Sequence, residues 1–349
     1  MKQRAIAGIA VAGFALAAAL MPAGARADAI SDFYSSKTIT IIVGTSAGGG
    51  YDTYARVMSR YMSRHLPGKP RFIVSNMPGA GSNIMAAHVA NAGAKDGTVI
   101  AAPFSTQPLA GVLEDTSQLR YEPRKLNYLG SATTDIFLCV VRPDAAATTF
   151  ADAFKHEVAT GGTAERGSTG YLPVMLNNVL GTRFKPVFGY PGSREIMAAI
   201  EKGEVHGMCG LNWSSLNAQY SQMWKDGKIK IIVQDSAIGH PEMDKLGIPK
   251  TIDFAKTEEA RRIMEIIYSQ EVFARPFFVA HEVPADRLAA LRKAFLATWQ
   301  DPEVLAEMNK MMLSVDPRSG EEIQAMIERI YASPPDLLAR TKEAIRLKR

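Results

Sequence analysis

The chain has 349 residues, 47% hydrophobic and 21% charged, a balance ordinary for a globular protein and too apolar for a disordered one. Its formal charge is +5, but Lys2, Arg4 and Arg26 all fall within residues 1–27, which hold no acid, so loss of that segment leaves +2. A charge that small gives no basis for nucleic-acid binding.

Residues 1–27 read as an export signal. Met1-Lys2-Gln3-Arg4 is basic, residues 5–20 are uncharged and apolar, and Ala25-Arg26-Ala27 is a small-x-small cleavage site. The apolar stretch is shorter than the roughly 20 residues that span a bilayer. Cleavage is expected after Ala27, with no nearby cysteine to carry a lipid. The remaining chain, about 320 residues, suits two domains. Cys139 and Cys209 sit in apolar, strand-like runs, and the leading expectation is two buried thiols, with a disulfide as the alternative that an oxidising compartment permits.

The mature chain alternates strands and helices. Thr38 to Val43 is a β-branched run that predicts a buried strand. A glycine turn, Ser46-Ala47-Gly48-Gly49-Gly50-Tyr51-Asp52, follows. Tyr54, Val57, Met58, Tyr61, Met62 and Leu66 then recur at helical spacing. Strands are expected at 71–75 and 98–102, with a helix over 82–92 between them. This β-α-β-α-β order predicts a parallel sheet with covering helices. A long strand over 135–142 crosses to a second α/β series. Strands there are expected at 156–160, 185–189, 205–209 and 228–234, and helices near Phe150 and over 169–180 and 193–202. The last third reads as mostly helical. Leu288, Leu291, Phe295 and Trp299 mark one buried face, Val304, Leu305, Met308, Met311 and Met312 another, and Ile323, Met326, Ile327 and Ile330 a third.

Three glycines where strand turns into helix remove every Cβ, so backbone amides can approach a bound group closely. The first amides of the helix have no partner and carry partial positive charge. Together they predict an anion site, at which a larger residue in place of Gly49 should weaken binding. Asp52 fits a helix cap or an i,i+4 pair with Arg56. The same loop, Gly44-Thr45-Ser46-Ala47-Gly48, matches the G-x-S-x-G nucleophile elbow, so a secreted serine hydrolase using Ser46 is the competing assignment. Its position after the first strand argues against that, as does the lack of a clear triad context among the six histidines. No phosphate loop, dinucleotide fingerprint or zinc spacing is present, and no metal or cofactor is expected.

Similar turns recur. Asn76-Met77-Pro78-Gly79-Ala80-Gly81-Ser82-Asn83 precedes the second helix, and Phe104-Ser105-Thr106 follows the third strand. Ser82 or Asn83 either caps the helix or faces a ligand. Loops after successive parallel strands gather at the carboxyl edge of the sheet, where ligands bind in open α/β folds. In the second series Gly167-Ser168-Thr169-Gly170 opens one helix and Tyr190-Pro191-Gly192-Ser193 the next, while Asn212 and Trp213 follow a strand end.

These motifs, in this order, resemble the periplasmic substrate-binding receptors of tripartite tricarboxylate transporters, the Bug proteins. The family's P-x-x-A-G-G-G-x-D with Arg four residues on appears as Gly44 to Asp52 with Arg56. Its N-x-P-G-A-G-G appears as Asn76 to Ser82, its D-G-x-T-like strand entry as Lys95-Asp96-Gly97-Thr98, and its G-S-T-x-x-L as Gly167 to Leu172. The resemblance implies a two-lobed α/β binding protein of the type II periplasmic class, each lobe a mostly parallel sheet with flanking helices, with a hinge between. It places residues 28–131 in lobe 1, 132–235 in lobe 2, and 236–349 back in lobe 1 and the C-terminal helices. It implies no enzyme activity. The implied ligand is a small carboxylate held by Ser46, Ala47, Gly48, Gly49, Gly50, Tyr51, Ser82, Asn83, Ser105, Thr106, Ser168 and Thr169, to which the local pattern adds Tyr190 and Asn212. The implied partners are membrane permease subunits serving a monomeric receptor; a ligand sensor for a signalling partner is the alternative. The chain departs from the family in having Gly44 for Pro and Tyr51 for Thr or Ser. Both acids of G-x-V-D-x-x-x-D are also missing across Gly203 to Gly210. Tyr51 then either stacks on an aromatic acid or narrows the cleft.

Overall fold

The computed structural model describes residues 23–114, 119–165 and 167–348. The apolar core of the expected export signal lies outside the described residues. The first described helix, Ala23–Tyr34, runs through Ala27, so cleavage there would leave its second half on the mature chain. No helix among the described residues is long and apolar enough to cross a membrane.

Two sheets form. The first contains β1 (Thr38–Val43), β2 (Arg71–Asn76), β3 (Val99–Ala102), β4 (Asn127–Ser131), β10 (Pro276–Val279) and β11 (Arg318–Ser319), in the order β11-β4-β10-β3-β1-β2. The second contains β5 (Phe137–Val141), β6 (Val158–Gly161), β7 (Phe184–Val187), β8 (Gly207–Asn212) and β9 (Lys230–Asp235), in the order β7-β6-β8-β5-β9. Each sheet is parallel at one end, where β2, β1 and β3 or β7, β6 and β8 lie side by side, and antiparallel at the other. The parallel ends carry the glycine turns. Their loops leave the carboxyl ends of the strands and open the helices Gly50–Tyr61, Ser168–Met175 and Ser193–Lys202.

β10 runs through a segment expected to be helical. Pro276-Phe277-Phe278-Val279 is too short for periodicity to separate strand from helix. It is sandwiched between β3 and β4, and all four residues are buried. The helix Ala285–Gln300 packs behind it. Leu291, Phe295 and Trp299 are fully buried, with Phe277 5.4 Å from Phe295 and Tyr54 5.7 Å from Trp299 between ring centroids. In the helix Pro302–Lys310 and the turn after it, Val304 and Met308 are buried but Leu305 and Met312 face solvent, so the apolar stripe there is narrower than its sequence suggests.

Cys139 and Cys209 form a disulfide, not two free thiols. β5 and β8 pair antiparallel, and a register shift between Leu138 and Val140 brings the two Cα atoms to 3.9 Å across 70 residues of sequence.

The chain crosses between sheets at residues 132–136 and again between β9 and β10, and buried acids gather there. Asp235, at the end of β9, accepts a 2.5 Å hydrogen bond from Tyr268, yet burial pushes its pKa up to about 7. Burial also raises the nearby Glu271 well above the carboxylate range. A folded-state pKa above the unfolded one means that the folded chain keeps protons the unfolded chain has released. The Asp235 contribution to stability should therefore fall as pH rises from about 4 to about 7 and level off above that, with Glu271 extending the decline. Asp235→Asn should flatten part of that decline; urea midpoints measured between pH 5 and 8 check it, and an unchanged slope would assign the protons elsewhere.

Candidate functional site

Between the two sheets lies a narrow, nearly closed cleft of about 30 Å³. Its lobe 1 wall comes from the loop after β1, with Thr45, Ser46, Gly49, Gly50 and Tyr51, and from Phe104 after β3. Lobe 2 contributes Thr163, Ser168 and Thr169 after β6, Gly192 and Ser193 after β7, and Met208, Gly210, Leu211, Asn212 and Ser215 along and after β8.

Three helices begin at this cleft. Each has a glycine at the N-cap, Gly49, Gly167 or Gly192, and none has a side-chain cap. The first helical amides are thus left without an acceptor on their own helix, in both lobes at once. Aligned peptide dipoles add partial positive charge at each terminus. Thr53 N–H bonds Gly49 O, Gly170 and Tyr171 N–H both bond Gly167 O and Ile196 N–H bonds Gly192 O, so the open amides are those before Thr53, Gly170 and Ile196.

The glycine turn is held from below by Asp52. Burial raises this carboxyl, but hydrogen bonds from Arg56, the Gly48 amide and Asn76 outweigh it and keep the pKa below the usual range. Asp52 sits in the first turn and ties Gly48 N–H at 2.8 Å, so it braces the loop instead of reaching the cleft. Asn76, from the end of β2, also donates to Thr45 O at 3.0 Å.

Seven of the residues expected at the site, Ser46, Gly49, Gly50, Tyr51, Ser168, Thr169 and Asn212, do line the cleft. The other seven lie outside it, each for a local reason. Ala47 and Gly48 face an outer groove beside Arg56, Arg60 and Arg194. Ser82 turns inward, donating to Gly44 O at 3.0 Å and accepting from Phe104 N–H at 3.1 Å. Asn83 is consumed by Glu114, Gln107 and Tyr121. Both belong to the loop after β2, the edge strand, one position farther from the lobe interface than β1. Ser105 lies behind Tyr51, bonded to its hydroxyl at 3.3 Å and to Gln270 at 2.9 Å. Thr106 opens on a separate cavity with Glu165, Tyr171 and Lys342. Tyr190 packs on the lobe 2 core, and so does Trp213, against Trp224.

Tyr51 is 9% exposed and lies edge-on to Phe104, with ring centroids 5.0 Å apart. The guanidinium of Arg275 stands 4.4 Å from its ring centroid, a cation–π contact that occupies one face of the ring. Arg275 was not foreseen from sequence, although a lone arginine in the apolar run Phe273-Ala274-Arg275-Pro276-Phe277 is the kind of signal that could have marked it.

The lobes touch at the glycine turn. Ser46 Oγ donates to Glu195 Oε2 across the cleft at 3.3 Å, so the candidate nucleophile meets a carboxylate from the other lobe and not an imidazole. A Cβ placed on Gly49 would sit 3.7 Å from Ser193 Oγ, an ordinary contact. A Cβ on Gly50 would collide with Ser215 Oγ and approach Arg275 Nη2 to 3.2 Å. Growth at Gly50, unlike growth at Gly49, would have to displace Ser215 from Arg275. Among the described residues no group of three His, Cys, Asp or Glu could hold a metal ion.

Two lobes, each a sheet with flanking helices, closing uncapped helix N-termini on one cleft, define the fold of a periplasmic binding protein. The structural neighbours are Bug- and TctC-type proteins of that class. The periplasmic binding protein BugD matches with a TM-score of 0.70 and 19% identity, covering 88% of this chain and 97% of that one. MatC from Rhodopseudomonas palustris, with bound malate, matches with a TM-score of 0.68 and 18% identity over 89% and 99%. A second R. palustris protein, with adipate, gives 0.68 and 18% over 88% and 97%. In sequence, the chain is 32% identical over 209 residues to the UPF0065 protein in the gbd 5' region of Cupriavidus necator. It is 30% identical over 201 residues to the UPF0065 protein in the ttuE-ttuC' intergenic region of Agrobacterium vitis. The matched stretches cover 60% and 56% of those two relatives. No protein-family model matches the chain.

Proposed function

We propose that this protein is a periplasmic substrate-binding receptor that captures a small organic carboxylate for a tripartite tricarboxylate-type transporter, acting as a monomer on membrane permease subunits. The observation that carries the carboxylate assignment is the convergence of three glycine-capped helix N-termini from two lobes on one cleft. A second observation supports it. Asn212 is only 5% exposed, lines the cleft, and its Nδ2 finds no partner among the described residues. A buried donor left unmatched is costly, about 1–3 kcal/mol, and an acceptor on a ligand would relieve that cost. Malate and adipate in two proteins of the same fold agree with an acidic ligand. Tyr51, Phe104, Met208 and Leu211 add an apolar side to the cleft, suited to the carbon skeleton of an acid. Export is supported by the basic, apolar, small-residue order of residues 1–27 and by the disulfide, which belongs to an oxidising compartment.

Ligand that binds only the folded state raises stability by mass action, about 2.7 kcal/mol at a hundredfold excess over Kd. In a thermal-shift panel of malate, adipate, citrate and benzoate, at least one acid should raise the melting temperature by roughly 5 °C or more. No shift with any of them, at millimolar concentration, would overturn the carboxylate assignment.

A further inference from the structure

Behind the cleft, Arg275 is 1% exposed and comes from lobe 1, immediately before β10. Its Nη1 donates to Asn212 Oδ1 at 3.0 Å, and its Nη2 donates to Ser214 Oγ at 3.1 Å and Ser215 Oγ at 3.2 Å. Asn212 and Ser215 are cleft walls from lobe 2, and Tyr51, under the same guanidinium, is a cleft wall from lobe 1. The nearest carboxylate is Asp135, at 3.5 Å from Nη2, buried and bonded to Ser214.

A guanidinium has only donors. Whatever faces it must present an acceptor. The Asn212 amide therefore has to turn its oxygen toward Arg275, which leaves its NH₂ as the unpartnered group of a residue that lines the cleft. Ser215 likewise spends a lone pair on Arg275 and keeps its hydroxyl proton for another acceptor. Had the amide been free to flip, the same cleft could offer C=O to a ligand N–H as readily as N–H to a ligand oxygen.

We infer that Arg275 is a positioning residue that sets the hydrogen-bond polarity of the lobe 2 wall, holding Asn212 and Ser215 as donors so that the cleft accepts a carboxylate and rejects its amide. This rests on the receptor assignment above and adds the device by which the cleft discriminates. Arg275 acts through Asn212 and Ser215. Because it bridges residues of both lobes, its orienting effect is complete only when the lobes are together.

The test compares wild type, Asn212→Asp and Arg275→Lys by calorimetric titration with the panel acid that shifts wild type most and with the amide of that acid. Wild type should prefer the acid. Asn212→Asp keeps an oxygen for Arg275 but replaces the cleft donor with a charged acceptor. It should lose about 100-fold or more in affinity for the acid while its preference between acid and amide collapses or inverts. Its unliganded melting temperature should not fall, because the new carboxylate pairs with Arg275. Arg275→Lys keeps the charge but loses the planar fork, and its acid-over-amide preference should drop roughly tenfold. A wild-type protein that binds no acid overturns the receptor assignment and this inference with it. A wild type that binds acid, with Asn212→Asp binding it as tightly and as selectively, overturns the inference alone. Should Arg275→Lys fail to fold, Asn212→Asp decides.

Discussion

Gly50→Ala is expected to weaken ligand binding by about 10- to 100-fold, while Gly49→Ala changes it by no more than about threefold. Neither glycine has a positive backbone φ, so alanine strains neither backbone. The positions differ only in what a methyl group meets. At Gly49 it finds Ser193 Oγ at 3.7 Å, a normal contact. At Gly50 it enters the space held by Ser215 Oγ, which is itself bonded to Arg275 at 3.2 Å. Either Ser215 swings off the guanidinium or the lobes stay apart. Losing a hydrogen bond to a buried charge costs about 1.5–3 kcal/mol, and each 1.4 kcal/mol is tenfold in affinity. The cost falls on the closed arrangement, since Gly50 and Ser215 belong to different lobes. The unliganded melting temperature should therefore move little. Titration calorimetry of both variants with one bound acid gives the ordering, and equal losses at the two positions would remove the collision as the cause.

Reduction of the Cys139–Cys209 disulfide is expected to lower stability by about 4 kcal/mol, as the loss of a cross-link over 70 residues implies in the loop-entropy account. For a chain of this size that is a fall in melting temperature of roughly 6 °C. The double variant Cys139→Ala, Cys209→Ala should behave like the reduced protein. Cys209 lies three residues before Asn212 on β8, so the bond also anchors the strand that carries the lobe 2 wall. Ligand affinity should fall in parallel, because a looser β8 end holds Asn212 and Ser215 less firmly against Arg275. Scanning calorimetry with and without a phosphine reductant measures the first effect, and a shift under about 2 °C would mean the sheet pairing alone holds these strands.

Much of the architecture was legible in local pattern. Thr38–Val43 and Ser193–Lys202 come out with the bounds their sequences suggested, because a β-branched run and an apolar helix face each carry their own period. β10 was not legible. Four apolar residues have no period to show, and only the gap between β3 and β4 makes Pro276–Val279 a strand. The disulfide was open for a related reason. Seventy residues separate its cysteines, and sheet pairing with a register shift is what brings them together.

The glycine turns could be picked out by sequence because glycine before a helix is a local statement about backbone approach. Which turns reach the cleft could not. That is settled by strand order: β1 and β3 lie inside β2, so Gly49, Gly50, Tyr51 and Phe104 arrive at the lobe interface while Ser82 and Asn83 turn into lobe 1. By itself the sequence determined an α/β chain long enough for two domains, with glycine turns opening its helices, since secondary structure and turn chemistry depend on neighbours a few residues apart. Only the tertiary structure decided that Arg275, far from every glycine turn in the chain, stands behind Tyr51, Asn212 and Ser215, because a hydrogen bond joining two lobes depends on how they pack and leaves no trace in spacing along the chain.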